Sequence, residues 1–163
     1  MDVGGGYGTL LTRILQAHPG ARGVLFDLPH VIARAETYVK ASGVADRCTL
    51  VGSDFFTGVT PGGDAYLLAG VLHDWSDERA VAILEQCRQA MDARATLHII
   101  DLVIPTGDQP SFGKWLDLHM LAMSGGRERT EAEFATLLQN ARFQLHKVVP
   151  TVAGPSIVIA RPV

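Results

Sequence analysis

The stretch Met1-Asp2-Val3-Gly4-Gly5-Gly6-Tyr7-Gly8-Thr9-Leu10-Leu11 decides the fold. A strand end runs straight into clustered glycines. These lead into a segment with helical spacing, Leu10, Leu11, Ile14 and Leu15, which Pro19-Gly20 ends. Glycines at such a turn let the backbone approach a ligand closely. Strand, glycine turn and helix together open a βαβ arrangement, and the chain repeats the alternation downstream.

Residues 21–27 read as a short apolar strand. Pro29 occupies the first turn of a helix reaching about Ala41, with Ile32, Ala35 and Val39 on one face. Residues 47–52 read as a strand, and Pro61-Gly62-Gly63 as a turn. Residues 65–72 are continuously apolar, as a strand covered on both faces should be. Ser76, Asp77 and Glu78 form an acidic helix start, followed by Ala80, Leu84, Cys87 and Met91 at helical spacing. Residues 96–104 read as a strand that stops at Pro105. A polar loop follows, then an apolar helix over 115–123, which Gly125-Gly126 breaks. Thr130 and Glu133 have capping-box spacing ahead of Phe134, Leu137 and Leu138. Residues 143–149 and 156–160 read as two final strands in an antiparallel hairpin. The pattern predicts an α/β fold: a mostly parallel, doubly wound, seven-stranded sheet with helices on both faces.

The chain has 163 residues, 47% hydrophobic and 19% charged, with a formal net charge of −3. That is one domain, residues 1–163, with a sizeable core, and neither a disordered tail nor a fibre. Slight acidity without a basic run disfavours nucleic acid and membrane surfaces as partners. No apolar run reaches the roughly 18 residues of a membrane span, and residues 1 onward lack the basic, apolar and small-residue sections expected of a signal peptide. Cys48 and Cys87 are too few for a disulfide framework, so a reducing cytoplasm is expected. A glycine loop usually follows a strand of about five residues. Only Met1, Asp2 and Val3 precede this one, so the first strand is expected to be truncated and the chain to be the back part of a longer protein.

The candidate site assembles at strand ends. A dinucleotide fingerprint needs G-x-G-x-x-G, but Thr9 stands where its last glycine belongs. Gly4-x-Gly6-x-Gly8 is instead the tighter spacing of S-adenosylmethionine sites, whose ligand carries no pyrophosphate. Asp27, at the end of the second strand, can accept both ribose hydroxyls, or it caps the helix opened by Pro29. Asp54 ends the third strand beside Phe55 and Phe56, which suits an adenine amino group against an aromatic wall, or a turn Asp beside core aromatics. His73 follows the fourth strand and Asp101 ends the fifth. If those strands are neighbours the two side chains meet, and a carboxylate on one imidazole nitrogen leaves the other free as a base. Asp77 and Glu78 are explained by their helix start, so no metal is expected.

Five motifs now occur in order: Asp2-Val3-Gly4-Gly5-Gly6-x-Gly8, Phe26-Asp27-Leu28-Pro29-His30-Val31, Asp54-Phe55-Phe56, Leu72-His73-Asp74-Trp75-Ser76-Asp77-Glu78 and Gly125-Gly126-Arg127-Glu128-Arg129-Thr130. Together they closely resemble the S-adenosylmethionine-dependent small-molecule O-methyltransferases of the plant caffeic-acid and bacterial polyketide-tailoring type. The resemblance spans essentially the whole chain and corresponds to that family's C-terminal catalytic domain. It implies a Rossmann-like methyltransferase fold, S-adenosylmethionine as cofactor with S-adenosylhomocysteine as product, and methyl transfer to a hydroxyl of an aromatic small molecule. It implies cofactor contacts from Gly4, Gly5, Gly6, Asp27, Leu28, Asp54 and Phe55. His73 matches the general base, with Asp101 and Glu128 as the two carboxylates that flank it. The Asp101 position is usually Glu in plant members, and the shorter side chain leaves room for a water between it and His73. Ala69 stands where the family often has a cofactor-contacting Lys. Leu116, His119, Met120 and Met123 match the segment lining the acceptor pocket, or form an ordinary amphipathic stripe. The resemblance also implies a helical N-terminal domain that makes a homodimer and closes the acceptor pocket, and these residues do not include it. The alternatives are a fragment or relative that binds S-adenosylmethionine without methyl transfer and, opposed by Thr9, an NAD-dependent oxidoreductase.

Overall fold

A computed structural model describes all 163 residues. The strands are β1 (Asp2–Val3), β2 (Gly23–Asp27), β3 (Cys48–Gly52), β4 (Ala65–Ala69), β5 (Thr96–Asp101), β6 (Phe143–Pro150) and β7 (Ser156–Pro162). The helices are α1 (Thr9–Ala17), α2 (Pro29–Ala41), α3 (Asp77–Ala90), α4 (Phe112–Met123) and α5 (Glu131–Asn140), with single 3-10 turns at Ala45–Arg47 and Leu72–Asp74. The strands form one seven-stranded sheet in the order β3-β2-β1-β4-β5-β7-β6. β1 to β5 run parallel; β7 runs antiparallel to β5 and to β6. The order reverses between β1 and β4, so a crevice opens there at the carboxyl ends of the strands, where such sheets hold ligands.

Alternate residues along each strand feed opposite layers. In β2, Leu25 joins Leu11, Leu15, Ala35 and Val39 in one apolar cluster, while its neighbour Phe26 joins Val3, Leu68, Leu84, Ile99 and Phe134 in the other. The helix signals act as read. Pro29 sits in the first turn of α2, and the Ser76 hydroxyl accepts from the Arg79 N–H to cap α3. Thr130 and Glu133 close a full capping box on α5. No helix is long and apolar enough to cross a membrane. Cys48 and Cys87 are both buried and free, and burial pushes the Cys87 thiol up to about 12.

Two strands end earlier than expected. The strand expected to reach residue 72 ends at Ala69. Gly70 takes a φ of 64°, turning the chain into the Leu72–Asp74 3-10 turn that carries His73. The strand expected to reach 104 ends at Asp101, and Val103 pairs instead with Arg129 in an isolated bridge. β1 is only two residues long, yet it lies between β2 and β4 in the middle of the sheet. Met1 extends its pairing: its amino group donates to the Ala65 carbonyl and its own carbonyl accepts from Leu67 N–H. Leu84 is fully buried in the larger cluster. Leu84→Ala is expected to cost about 2–5 kcal/mol of unfolding free energy, read from the midpoint of a urea titration.

Candidate active site

Two hydrogen-bonded constructions share the carboxyl edge of the sheet. The first is built on β1 and β2. Gly4 and Gly5 N–H both donate to the Phe26 carbonyl, folding the loop back over the sheet. Gly6 has a φ of 58°, and a Cβ there would meet nothing, so conformation rather than crowding favours glycine. Its N–H donates to Asp27 Oδ2 at 2.8 Å, while Leu28 N–H donates to Asp27 Oδ1 at 2.7 Å. Each carboxylate oxygen keeps a lone pair for a ligand. Asp27 is not the helix cap: Leu28 is the N-cap residue of α2, with no side-chain cap.

Across the crevice, Asp54 Oδ1 accepts from Phe56 N–H at 2.8 Å, leaving Oδ2 uncommitted in a tight turn. Phe55, Phe56 and Trp75 pack edge to face, the Phe56 and Trp75 centroids 4.9 Å apart. The Arg79 guanidinium covers Phe56 at 3.9 Å from its centroid. These groups enclose a cleft of about 360 Å³, whose walls include Gly4, Asp27, Leu28, Asp54 and Phe55. Gly5 and Gly6 shape the loop without lining that wall.

The second construction holds His73, whose Nδ1 lies 3.0 Å from Glu128 Oε1. Three contacts bring Glu128 there. Arg127 N–H donates to the His73 carbonyl at 2.9 Å. Gly126 crosses that carbonyl so closely that any Cβ would collide with it. Glu128 N–H donates to Asp117 Oδ1 at 2.8 Å, tying the segment to α4. Beneath, Arg129 is 1% exposed, and its guanidinium donates to Asp77 Oδ1 and to the carbonyls of Leu72 and Trp75. The Glu128 carboxylate selects the tautomer with hydrogen on Nδ1 and leaves the Nε2 lone pair free. The hydrogen bond from Glu128 raises the His73 pKa above its ordinary value, against the opposing effect of burial.

The two carboxylates expected beside His73 are not equivalent. β4 and β5 are neighbours, as the His73–Asp101 pairing required, yet the partner hydrogen-bonded to His73 is Glu128. Asp101 is 3% exposed, and its charge is one of the lesser causes that raise the His73 pKa. Leu116, His119, Met120 and Met123 are all carried by α4, and none of them lines the cleft. Met120 is buried, whereas Met123 is 73% exposed, on a helix that also exposes Phe112, Trp115 and Leu118. The structural parts played by Gly126, Arg129, Asp117 and Arg79 escaped the sequence reading. Only the Gly125-Gly126 break and the Gly-Arg-Glu-Arg run marked the segment.

Glu128→Gln removes the main cause of the raised His73 pKa, so the imidazole titration followed by NMR is expected to move to lower pH. The sign for stability follows from a folded-state pKa above the unfolded one. The contribution of this contact is fully present below about pH 6.5 and is lost as pH rises through the folded-state pKa.

A family model for an O-methyltransferase domain matches residues 1–144. The chain is 52% identical over 163 residues to the phenazine O-methyltransferase PhzM of Lysobacter antibioticus, covering 100% of this chain and 48% of that protein. The crystal structure of LaPhzM superposes with a TM-score of 0.96 at 52% identity, over 99% of this chain and 49% of that one. The neocarzinostatin-biosynthesis O-methyltransferase NcsB1, solved with S-adenosylmethionine and 2-hydroxy-5-methyl naphthoic acid, superposes with a TM-score of 0.91 at 34% identity, over 99% and 48% of the two chains. The chain thus spans about half the length of the curated relatives it matches.

Proposed function

Because this chain belongs to the O-methyltransferase domain family, we propose that it binds S-adenosylmethionine in the cleft and carries the catalytic base for methyl transfer to a hydroxyl of an aromatic small molecule. One observation carries the reading: His73, oriented by Glu128, stands on the same sheet edge as the glycine loop locked by Asp27.

The residues present fit the cofactor. Asp27 keeps lone pairs for a ribose diol after accepting from Gly6 and Leu28. Asp54 Oδ2 is available to an adenine amino group, beside Phe55. A cleft of about 360 Å³ is of the size that small-molecule sites take. When bound, S-adenosylmethionine supplies a methyl group already activated as a sulfonium. The protein then has to orient the acceptor and remove its proton. A phenol has a pKa of about 10, so little is ionised at neutral pH. His73 Nε2 accepts that proton, and Glu128 steadies the imidazolium, a contribution on the order of 10²–10⁴ in rate. Asp74 Oδ1, 3.9 Å from Nε2, adds a second favourable charge.

Support for the acceptor class comes from the relatives' names and from the naphthoic acid in NcsB1. The acceptor wall is less complete in these residues than the cofactor cleft. α4 exposes Phe112, Trp115, Leu118 and Met123 to solvent, and nothing in the chain covers them. The homodimer inferred from the family belongs to the same proposal. The binding-only reading keeps a role as well: alone, this chain is expected to bind cofactor and to turn over slowly.

Calorimetry with S-adenosylhomocysteine tests the cofactor half. Asp27→Ala is expected to weaken binding at least tenfold, a loss of about 1.4 kcal/mol or more. Unchanged affinity removes Asp27 from the site. In the longest native form of the protein, His73→Gln is expected to lower kcat on a panel of phenols by about 10²-fold or more with cofactor affinity retained. Wild-type turnover in that variant rules out the base.

A further inference from the structure

The contact between His73 and Glu128 depends on where the Glu128 main chain is held. Arg127 N–H donates to the His73 carbonyl and Ile104 N–H donates to the Arg129 carbonyl, so the residues on either side of Glu128 have partners of their own. Glu128 is 1% exposed, and its own N–H donates at 2.8 Å to Oδ1 of Asp117, 11 residues earlier on α4. A carboxylate is a stronger acceptor than a neutral group, and a buried N–H left without a partner is costly. This hydrogen bond therefore fixes the backbone from which the Glu128 carboxylate reaches His73 Nδ1 at 3.0 Å.

Asp117 stands on the inward stripe of α4. Gly113 and Met120, the buried residues of that helix, lie four before and three after it, on the same helix face. Leu116, its neighbour, and Met120 belong to the residues expected to line the acceptor wall. No other side chain of α4 hydrogen-bonds to residues 125–129 or to the Leu72–Asp74 turn. The second polar anchor of the helix, Lys114, donates instead to the carbonyls of Gly107 and Gln109 in the loop before α4. The helix expected to meet the acceptor is thus joined to the His73–Glu128 pair by the carboxylate of Asp117.

We propose that Asp117 is a positioning residue: by holding the Glu128 amide it couples the seating of α4 to the orientation of the His73 imidazole. Its part in catalysis rests on His73 being the base. An acceptor that presses on α4 then acts on the base through this hydrogen bond. A helix displaced by about 1 Å carries the Glu128 backbone with it, and a displacement of that size is enough to impair a catalytic contact. The His73–Glu128 hydrogen bond lengthens, and the tautomer with hydrogen on Nδ1 loses its support. That hydrogen bond is the largest cause of the raised His73 pKa, so the same displacement lowers it. Asp101 and Asp74 act on His73 through their charges, and neither is hydrogen-bonded to Asp117.

Nitrogen NMR of the His73 imidazole tests the positioning without substrate or cofactor, so its outcome is independent of the methyl-transfer reading. In Asp117→Ala the titration is expected to move to lower pH, and the neutral ring to change from hydrogen on Nδ1 to a mixture of tautomers. Asp117→Leu, which keeps the bulk, serves if the alanine variant does not fold, with the same changes expected. Asp117→Asn loses the charge but keeps an acceptor oxygen, and is expected to restore the wild-type tautomer. Lys114→Met loosens α4 at its other anchor and is expected to leave the His73 signals in place. Wild-type titration and tautomer in the folded Asp117→Ala or Asp117→Leu variant overturn the proposal. So does an equal shift in Lys114→Met, which makes the effect a general loosening of the helix, or in Asp117→Asn, which makes it one of charge. In the longest native form of the protein, Asp117→Ala is expected to lower kcat on the phenol panel about tenfold or more, with affinity for S-adenosylhomocysteine retained. Displaced His73 signals with wild-type kcat leave the positioning standing and remove His73 as the base.

Discussion

The buried guanidinium of Arg129 ties its own segment to the Leu72–Asp77 stretch, 52 to 57 residues earlier in the chain. It binds Asp77 at the start of α3 and the carbonyls of Leu72 and Trp75 on either side of His73. The backbone just before it, Gly126 to Glu128, lies directly on the His73 turn. Charged hydrogen bonds in a buried setting are stronger than neutral ones, and leaving such a cation unpaired is costly. The arrangement therefore has little freedom to relax. It holds the Glu128 carboxylate in place against an imidazole from the far end of β4.

The glycine loop is held by a different device with the same logic. Asp27 has one oxygen on Gly6 N–H and the other on Leu28 N–H. A single carboxylate thus shapes both a loop after β1 and the chain leaving β2. The two devices come together because the strand order reverses between β1 and β4, opening a crevice that neither half has alone. The Asp27 loop and the His73–Glu128 pair are held by separate hydrogen-bond sets on one sheet edge.

The α4 segment has the opposite character. Its buried side is narrow, chiefly Gly113 and Met120, and its outer side carries Phe112, Trp115, Leu118 and Leu121. Asp117 still ties it to Glu128. A helix so apolar on its exposed face is positioned by polar anchors at Lys114 and Asp117 and by little packing.

Much of this molecule was legible in the sequence because the deciding signals are local. Apolar periodicity marked the strands and helices, Pro29, Ser76 and Thr130 marked helix starts, and glycine spacing with Asp27 and Asp54 marked the cleft wall. His73 stood out by its place after an apolar strand. Tertiary structure alone decided which carboxylate His73 would meet. Asp101 sits on the adjoining strand, but the hydrogen bond of His73 Nδ1 is accepted by Glu128, 55 residues away in sequence. That choice depends on Gly126 passing over the His73 carbonyl and on a buried Arg129, contacts across long separations that no periodicity encodes. The same holds for the strand ends at Ala69 and Asp101. Apolar sequence continued past both points, but the positive φ of Gly70 and the pairing of Val103 with Arg129 ended the ladder there.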